Sequence, residues 1–423
     1  MKRILISIVA LAAVMGTALA AQEQTEVRLA YPVAVTAPIA TIMNGFAADF
    51  MAKNPGIKVT MIFSGGYGDV KTAVQTAIQG NAKAPELAIM LATDVYDLIN
   101  AKLVDSVDDL AAADADGKAF VKDLAPAYLG NSYDKGKLYG IPFQRSAVVL
   151  YYNADLLAAA KLKVPGTWDE LGLAAQKLTI DAGKTQWGLE FPSKAPYWLF
   201  QPLAIANGQN VFTDSVTTNF NAPQVVEAVQ YLIDLSKKFQ GIPAGVQDSW
   251  GSATQNFIAG RTAMIVHTSG SLANILKGAK FQVGVAAVPG KQAKTGASVT
   301  GGGNLYLTAG HTAAERKAAW AFVRFITDPS RVVEFSTQTG YVPYRQSALD
   351  SKAWQDYVTK TPQAKAVADI LPVMGREIST QSLAAVKSSF NSQLEAAING
   401  QKSPKEAMDI AQAEAVKILA DYK

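Results

Sequence analysis

The sequence contains no cysteine and only two histidines, His267 and His311, among 423 residues. Without cysteine the chain can form neither disulfides nor thiolate metal sites, and it has no thiol nucleophile. The motifs H-E-x-x-H and G-x-S-x-G are also missing, and they are the usual signatures of zinc proteases and α/β-hydrolases. We therefore expect no metal site and no catalytic residues, and a fold that depends on a large core.

Charge is scarce, since charged residues make up 17% of the chain. Lys2 and Arg3 precede the apolar stretch 4–15 and the small-residue segment 18–20, which together form the pattern of a secretory signal peptide. Removal of residues 1–20 would lower the formal charge from +4 to +2, and no cluster of basic and aromatic residues stands elsewhere. We expect an exported protein that does not bind nucleic acid.

Long apolar runs are also missing, because stretch 4–15 is short for a membrane span and no longer one follows it. Hydrophobic residues nevertheless make up 49% of the chain, which is typical of a soluble globular protein. A mature chain of about 400 residues favours two domains.

Short β-rich runs alternate with longer helical segments along the first part of the chain. Residues 26–31 and 57–63 read as strands, and residues 39–53 and 70–79 read as helices. This alternation predicts an α/β fold with mainly parallel strands and helices on both faces of the sheet. Ligands of such folds bind at the carboxyl ends of strands, where the turn 64–67 ends in Tyr67. An ordinary turn is the alternative for this segment.

A second candidate ligand site follows the apolar run 262–268, which breaks at Ser269-Gly270-Ser271 and opens into a helix. Backbone N–H groups that lack partners at a helix start favour an anion. Because serine and glycine are also ordinary capping residues, a capped helix without a ligand stays open as the alternative. A third segment, the turn-rich stretch 131–140 followed by the long apolar run 141–153, indicates a connection between two lobes.

These segments, in this order, resemble the periplasmic solute-binding proteins of ABC importers. The matching stretches are 54–59, 138–142 with 150–153, 165–168, 257–264 and 340–343. The resemblance implies an α/β fold of two lobes, the type II-like periplasmic-binding-protein fold, with three hinge crossovers and the ligand cleft between the lobes. It also implies a periplasmic protein without cofactor that delivers a small molecule to an ABC permease, and we expect a monomer.

The resemblance implies boundaries as well. We expect a signal peptide over 1–20, a first lobe over 21–143 and 286–336, a second lobe over 147–283 and 340–423, and hinges near 141–147, 281–287 and 337–343.

A narrower resemblance is to the sn-glycerol-3-phosphate-binding group, through 269–275, the paired glycines 301–302 and 339–343. The ligand contacts that it implies are Tyr67, Ser146, Ser269, Gly270, Ser271, Gly302, Tyr341 and Arg376. An aromatic wall is expected from Tyr197 or Trp198. Where that group has an acidic residue this chain has Ala92, Lys194 is new, and Arg145 stands in for a second arginine whose place Ser379 takes. A salt bridge at the surface or between the lobes is the alternative for Arg376.

These residues predict a binding protein for a phosphate- or other oxyanion-bearing organic solute, such as sn-glycerol 3-phosphate or a glycerophosphodiester. A neutral sugar or oligosaccharide is the alternative ligand. A distant alternative is a secreted serine hydrolase of the penicillin-recognising type, because Ser132-x-x-Lys135 and Lys294-Thr295-Gly296 match two of its motifs. Ser132 stands in a polar turn, however, and no Ser-x-Asn lies between the two motifs.

Overall fold

A computed structural model describes residues 24–194, 197–292 and 296–423. The predicted signal peptide lies outside these ranges. Within them, no helix combines the length and the apolar character that a membrane span requires.

The described residues form strands and helices with the following bounds. The strands are β1 Thr25–Tyr31, β2 Ile57–Phe63, β3 Leu87–Leu91, β4 Val104–Asp105, β5 Tyr133–Asp134, β6 Lys137–Leu138, β7 Gly140–Asn153, β8 Phe212–Asp214, β9 Thr217–Thr218, β10 Met264–Thr268, β11 Val283–Ala286, β12 Ser298–Thr308 and β13 Met374–Gly375. The helices are α1 Ile39–Lys53, α2 Tyr67–Gln79, α3 Val95–Asn100, α4 Asp108–Ala113, α5 Gly117–Lys122, α6 Ala154–Ala159, α7 Trp168–Leu178, α8 Tyr197–Ala206, α9 Pro223–Lys237, α10 Ala253–Ile258, α11 Leu272–Gly278, α12 Ala313–Ile326, α13 Pro329–Thr339, α14 Gln346–Leu349, α15 Lys352–Lys360, α16 Pro362–Ile370, α17 Leu383–Ile398 and α18 Pro404–Leu419.

The predicted alternation of strands and helices is confirmed over the first 80 residues, where α1 and β2 have the predicted bounds. Helix α2 begins three residues earlier than predicted. Gly66 starts it in an extended conformation, and its N–H donates to the Asp69 carboxylate at 2.7 Å. Tyr67 therefore occupies the first helical position, after a three-residue turn that follows β2.

One curved sheet runs through the molecule in the order β10-β7-β12-β3-β1-β2, with β11 beside β7 and with β4 and β13 beside β12. The pairs β1–β2, β1–β3 and β12–β13 are parallel, whereas β7 is antiparallel to β10, β11 and β12, and β12 is antiparallel to β3. The expectation of mainly parallel strands is therefore wrong for the half of the sheet built on β7 and β12. Every partner of these two long strands is antiparallel to them except the short β13, which is parallel to β12.

Two large hydrophobic cores both include residues of the central strands β7 and β12. The first contains Phe46 of α1 and Phe322 of α12, and the second contains Phe200 of α8 and Phe390 of α17. Neighbouring residues of β7 divide between them, because Val149 and Tyr151 join the first core while Val148 and Leu150 join the second. Side chains of a strand point alternately to its two faces, so one strand supports both cores.

The sheet register also indicates where the chain passes between the lobes. The first half of β7 pairs with β12, and its second half pairs with β10 and β11. β11 (283–286) lies against the second half of β7, so β7 changes partners near Ala147. All three hinges, near 141–147, 281–287 and 337–343, and the lobe boundaries stay predictions.

Close backbone packing joins β7 to β12 at Gly302, which has φ +93° and faces Arg145 in the register. A Cβ at this position would overlap the carbonyl oxygen of Gln144. Only glycine combines this backbone conformation with this approach.

We expect Gly302→Ala to destabilise the fold by about 3 kcal/mol or more, because both the positive φ and the overlap oppose a methyl group. Gly136→Ala is the matched control, since Gly136 has φ +78° but open space at its Cβ, and it should cost only about 1 kcal/mol. Urea unfolding of both variants measures the difference. Equal losses would show that backbone conformation alone sets the requirement at Gly302.

Candidate functional site

A cavity of about 330 Å³ opens between the two halves of the molecule, next to the junction of β7 and β12. Ser146 of β7 and Gly302 of β12 form part of its lining, and Tyr67 adds the start of α2. Trp198 of α8 contributes from the second core. The cavity thus brings together residues that are far apart in the sequence, as expected for a ligand site between lobes.

Two tyrosines of the lining carry neutral hydroxyl groups. The Tyr67 hydroxyl donates to Gln144 Oε1 at 2.8 Å, and the ring of Tyr341 stacks on Phe335 with 5.6 Å between ring centres. Burial raises the pKa of Tyr341 to about 12 and the pKa of Tyr67 well above its usual value. Both hydroxyls stay protonated at neutral pH, so Tyr341 can donate a hydrogen bond to a ligand. Tyr67 gives its one hydrogen to Gln144 and can accept a hydrogen bond from a ligand.

Trp198 and Trp250 form an aromatic wall, with ring centres 5.9 Å apart in an edge-to-face arrangement. Trp198 is fixed because its indole N–H donates to the Thr300 carbonyl at 3.0 Å and its ring covers Gly301, where a Cβ would overlap it. Trp250 is 39% exposed and lies in the irregular segment after α9. Such a wall can stack on a sugar or hold an organic cation.

His267 packs against the indole ring of Trp250. The two rings stack with 4.2 Å between their centres, and His267 Nε2 lies 3.2 Å from the carbonyl oxygen of Trp250. Burial lowers the pKa of His267 to about 4, so the imidazole is neutral at physiological pH. Its role is to position the wall rather than to supply charge.

Glu377 places a carboxyl group in the lining, although only 2% of the residue is exposed. Its Oε1 accepts from the Tyr197 hydroxyl at 3.0 Å, and its Oε2 has no hydrogen-bond partner among the described residues. Burial raises the pKa of Glu377 to about 7, against the opposing effect of the charges on Arg145 and Lys387. An acceptor that lacks a partner in a cavity favours a ligand donor or cation.

Arg145 lies in a buried polar layer beside the cavity and is not part of its lining. Its Nη1 donates to Asn304 Oδ1 at 3.3 Å, and its guanidinium faces the Tyr128 ring at 5.5 Å. Burial lowers the pKa of Arg145. Its positive charge opposes the rise in the pKa of Glu377. The predicted contact of Arg145 with a ligand stays a prediction.

The segment Ser269-Gly270-Ser271 does not form the predicted anion cradle. Ser269 Oγ accepts from the backbone N–H of Ala147 at 3.0 Å, and the Gly270 N–H donates to Thr268 Oγ1 at 3.1 Å. The Ser269 hydroxyl thus bonds to β7, and the Gly270 N–H bonds within the turn. This arrangement favours the alternative of an ordinary capped turn. The following helix, α11, has only seven residues, and Thr268 rather than Ser269, Gly270 or Ser271 lines the cavity.

Arg376 also needs a correction, because its side chain lies outside the cavity lining. The guanidinium faces the Phe212 ring at 4.6 Å and donates to the Thr213 carbonyl at 3.3 Å. A Cβ at Gly130 would come within 2.6 Å of Arg376 Cδ, so the side chain packs between the two halves of the molecule. Neighbouring residues of an extended segment point in opposite directions, and Glu377 takes the place in the cavity.

Some of the remaining predicted positions line the cavity and others do not. Tyr197 lines the cavity with Trp198, and Lys194 lines it with its Nζ 2.6 Å from Asp248 Oδ2. Ala92 is buried, and its neighbour Leu91 lines the cavity instead. Ser132 is also buried and accepts from Asn304 Nδ2 at 3.2 Å, while Lys294 and Thr295 of the second hydrolase motif lie outside the described residues.

Sequence reasoning missed Glu377 and Trp250. Glu377 directly follows the predicted Arg376, but nothing in the sequence tells which of the two neighbours faces the cavity. Trp250 lies in a segment without periodicity, so no pattern points to it. Across the described ranges, no group of three or more His, Cys, Asp or Glu residues is arranged to hold a metal ion.

Comparisons with known proteins agree on one family. The family model described as bacterial extracellular solute-binding protein matches residues 45–362. The sn-glycerol-3-phosphate-binding periplasmic protein UgpB of Pectobacterium atrosepticum is 27% identical over 388 residues, which are 87% of this chain and 86% of that protein. The protein of the same name from Escherichia coli K12 is 27% identical over 390 residues, 87% of each chain.

Solved structures show the same fold with different ligands. The structure of UgpB from Mycobacterium tuberculosis in complex with glycerophosphocholine has a TM-score of 0.82 at 22% identity and covers 93% of this chain and 98% of that one. The GacH receptor of Streptomyces glaucescens, solved unliganded and with acarbose, has a TM-score of 0.81 at 23% identity, with coverages of 95% and 100%. At these identities the similarity shows the fold, which is the predicted arrangement of two α/β lobes.

The raised pKa of Glu377 should make stability depend on pH. Because the folded protein holds this proton up to about pH 7 and the unfolded chain loses it near 4.5, stability should fall as pH rises from 5 to 8. Glu377→Gln should remove up to roughly 3 kcal/mol of this fall, measured by urea unfolding at both pH values.

Glu406→Gln is the control for this experiment, since Glu406 is exposed on α18. It should leave the pH dependence of the wild type in place. A Glu377→Gln variant with the same pH dependence as the wild type would mean that the carboxyl is ionised throughout this range.

Removal of the support under Trp250 should be visible directly. We expect His267→Ala to cost about 2 to 4 kcal/mol of stability and to increase acrylamide quenching of Trp250, because the ring loses its stacking partner. His267→Phe keeps a ring in place and should restore most of the protection. Subtraction of the Trp250→Phe signal isolates this tryptophan, and unchanged quenching in His267→Ala would show that the indole is held by other contacts.

Proposed function

The chain belongs to the family of bacterial extracellular solute-binding proteins, and from this premise we propose that it captures a glycerophosphodiester for an ABC importer. Its family and its relatives are substrate-binding proteins of ABC transporters rather than enzymes, and proteins of this kind bind small molecules and interact with a permease. The observation that carries the ligand class is an aromatic cavity that contains one buried carboxyl group, Glu377.

The aromatic wall and Glu377 would take the head group of the diester. Trp198, Trp250 and Tyr197 offer ring faces, and Glu377 Oε2 offers an acceptor without a partner. A cation next to indole rings gains about 0.5 to 2 kcal/mol, and a carboxylate adds a charge-assisted contact. A choline-like group or a hydroxylated head group satisfies both features.

The phosphate of a diester would lie against Tyr341, Ser146 and Gly302. Tyr341 and Ser146 supply hydroxyl groups, and the Gly302 backbone lines the cavity without a side chain. A diester carries one negative charge, and the nearby Arg145 guanidinium offsets part of it. A phosphomonoester carries close to two charges at neutral pH, and neither Arg376 nor the segment 269–271 is placed to meet the second one.

The relatives support this ligand class to different degrees. The curated relatives are named for sn-glycerol 3-phosphate, and one solved relative holds glycerophosphocholine. The glycerol part is therefore common to both, while the aromatic and acidic lining favours the ligand with an additional head group. We infer a periplasmic location after export, in agreement with the names of these relatives.

A neutral oligosaccharide is the second candidate, and one observation favours it. Lys194 is the only cation in the cavity lining of the described residues, and Asp248 already pairs with it. Stacked indole rings suit sugar faces, and one solved relative was determined with acarbose.

Isothermal titration of the purified exported protein with glycerophosphocholine, sn-glycerol 3-phosphate and maltotriose tests the proposal. We expect glycerophosphocholine to bind most tightly, and Trp250→Ala to weaken it by about 2- to 30-fold through loss of the wall. Leu173→Ala, an exposed position on α7 away from the cavity, is the control and should leave the affinity unchanged.

Each other outcome is informative. Maltotriose binding without glycerophosphocholine binding would establish the second candidate. Tighter binding of sn-glycerol 3-phosphate would overturn the proposed role of the aromatic and acidic lining, and it would direct attention back to Arg376.

A further inference from the structure

We propose that the second lobe contains a separate binding site for a small neutral polyol or monosaccharide. A cavity of about 290 Å³ lies between the segment 183–190, the segment 243–249 and the start of β10. None of the residues that line it lines the cavity described above. Its size is near the lower end of ligand sites, which suits one sugar unit rather than an oligosaccharide.

Two opposite charges of this cavity, those of Glu190 and Arg261, are connected through the side-chain amide of Asn256. Glu190 is 6% exposed, and its two carboxylate oxygens accept from Asn256 Nδ2 at 3.3 and 3.1 Å. Asn256 Oδ1 in turn accepts from Arg261 Nε and Nη2 at 3.0 and 2.8 Å. Because the carboxylate and the guanidinium share Asn256, a neutral ligand leaves both charges paired. The second cation of the lining, Lys184, is exposed to solvent.

One polar group of this cavity, the Thr262 hydroxyl, nevertheless lacks a hydrogen bond within the described ranges. Thr262 is 3% exposed, lines the cavity, and its hydroxyl has no hydrogen-bond partner among the described residues. A buried hydroxyl without a partner costs about 1 to 3 kcal/mol, so its presence here points to a molecule that supplies the missing bond. The Glu190 carboxylate can accept further hydrogen bonds as well.

The chemical class follows from this donor and acceptor set. Hydroxyl groups of a ligand both donate and accept, so one molecule can donate to Glu190 and bond the Thr262 hydroxyl. Trp187 adds an indole to the lining, and indole rings pack against the C–H faces of sugars. A phosphate would face the buried carboxylate of Glu190, and an ammonium group would face the positive charges of Arg261 and Lys184.

Fluorine NMR of the exported protein, labelled with 5-fluorotryptophan, tests this site and the first cavity in one sample. Trp187→Phe assigns the resonance of the second site, and Trp198 and Trp250 report on the first cavity. We expect D-glucose or ribitol to shift the Trp187 resonance in a saturable way. Thr262→Val should weaken that binding about tenfold, and Thr262→Ser should restore it because it keeps the hydroxyl.

The proposal fails if neither glucose nor ribitol shifts Trp187 saturably, which would mean that water alone fills the cavity. It also fails if Thr262→Val binds as well as the wild type, or if a zwitterion such as glycine shifts Trp187 while the polyols do not. Should Thr262→Val unfold, as monitored by circular dichroism, Glu190→Gln replaces it with the same expected weakening. Trp198 and Trp250 line only the first cavity, and Trp187 lines only the second. A failure of the proposed function is therefore distinguishable from a failure of this second site.

Discussion

The close packing of β7 against β12 is the constraint on which the rest of this structure depends. At Gly302 the two backbones approach so closely that a side chain would overlap Gln144. Its neighbour on β12, Gly301, leaves room for the ring of Trp198 from α8. Alternate residues of β7 enter the two cores, so the strand that joins the lobes is also part of the interior of each. The ligand cavity therefore lies at a closely packed junction, and its walls come from elements that belong to separate cores.

Burial then decides the chemistry of the site. Arg145, Glu377 and His267 are each less than 4% exposed, and in each case burial disfavours the charged form. His267 responds by staying neutral and acting through its ring. Arg145 and Glu377 lie near enough for each charge to favour the other, so Glu377 offsets the positive charge of Arg145 only where it ionises, at about pH 7 and above. Selectivity is thus expected to come from ring faces and single hydrogen bonds rather than from a strong field.

Sequence reasoning could identify the α/β class, the elements of the first 80 residues and the positions Tyr67, Ser146, Tyr197, Trp198, Gly302 and Tyr341, all of which line the cavity. It failed where the answer depended on side-chain direction. The choice between Arg376 and Glu377 is set by how an extended segment lies against Gly130 and Phe212, which are distant in sequence. The turn 269–271 failed for a similar reason, because the partner of its first hydroxyl is Ala147 on another strand.

The segment 243–250 links the two cavities described above. Ser249 lines the second cavity and its neighbour Trp250 lines the first, while the Gln247 backbone is tied to Ser193 by bonds of 2.8 and 2.9 Å. A ligand in either cavity can affect the other only if it binds two positions of this segment with different free energies. Any such effect must be equal in both directions, so a polyol that strengthens binding in the first cavity is itself held more tightly when that cavity is occupied. The segment 243–250 is the element through which this coupling would act, because it contributes neighbouring residues to both cavities, whereas the β7–β12 junction lines only the first.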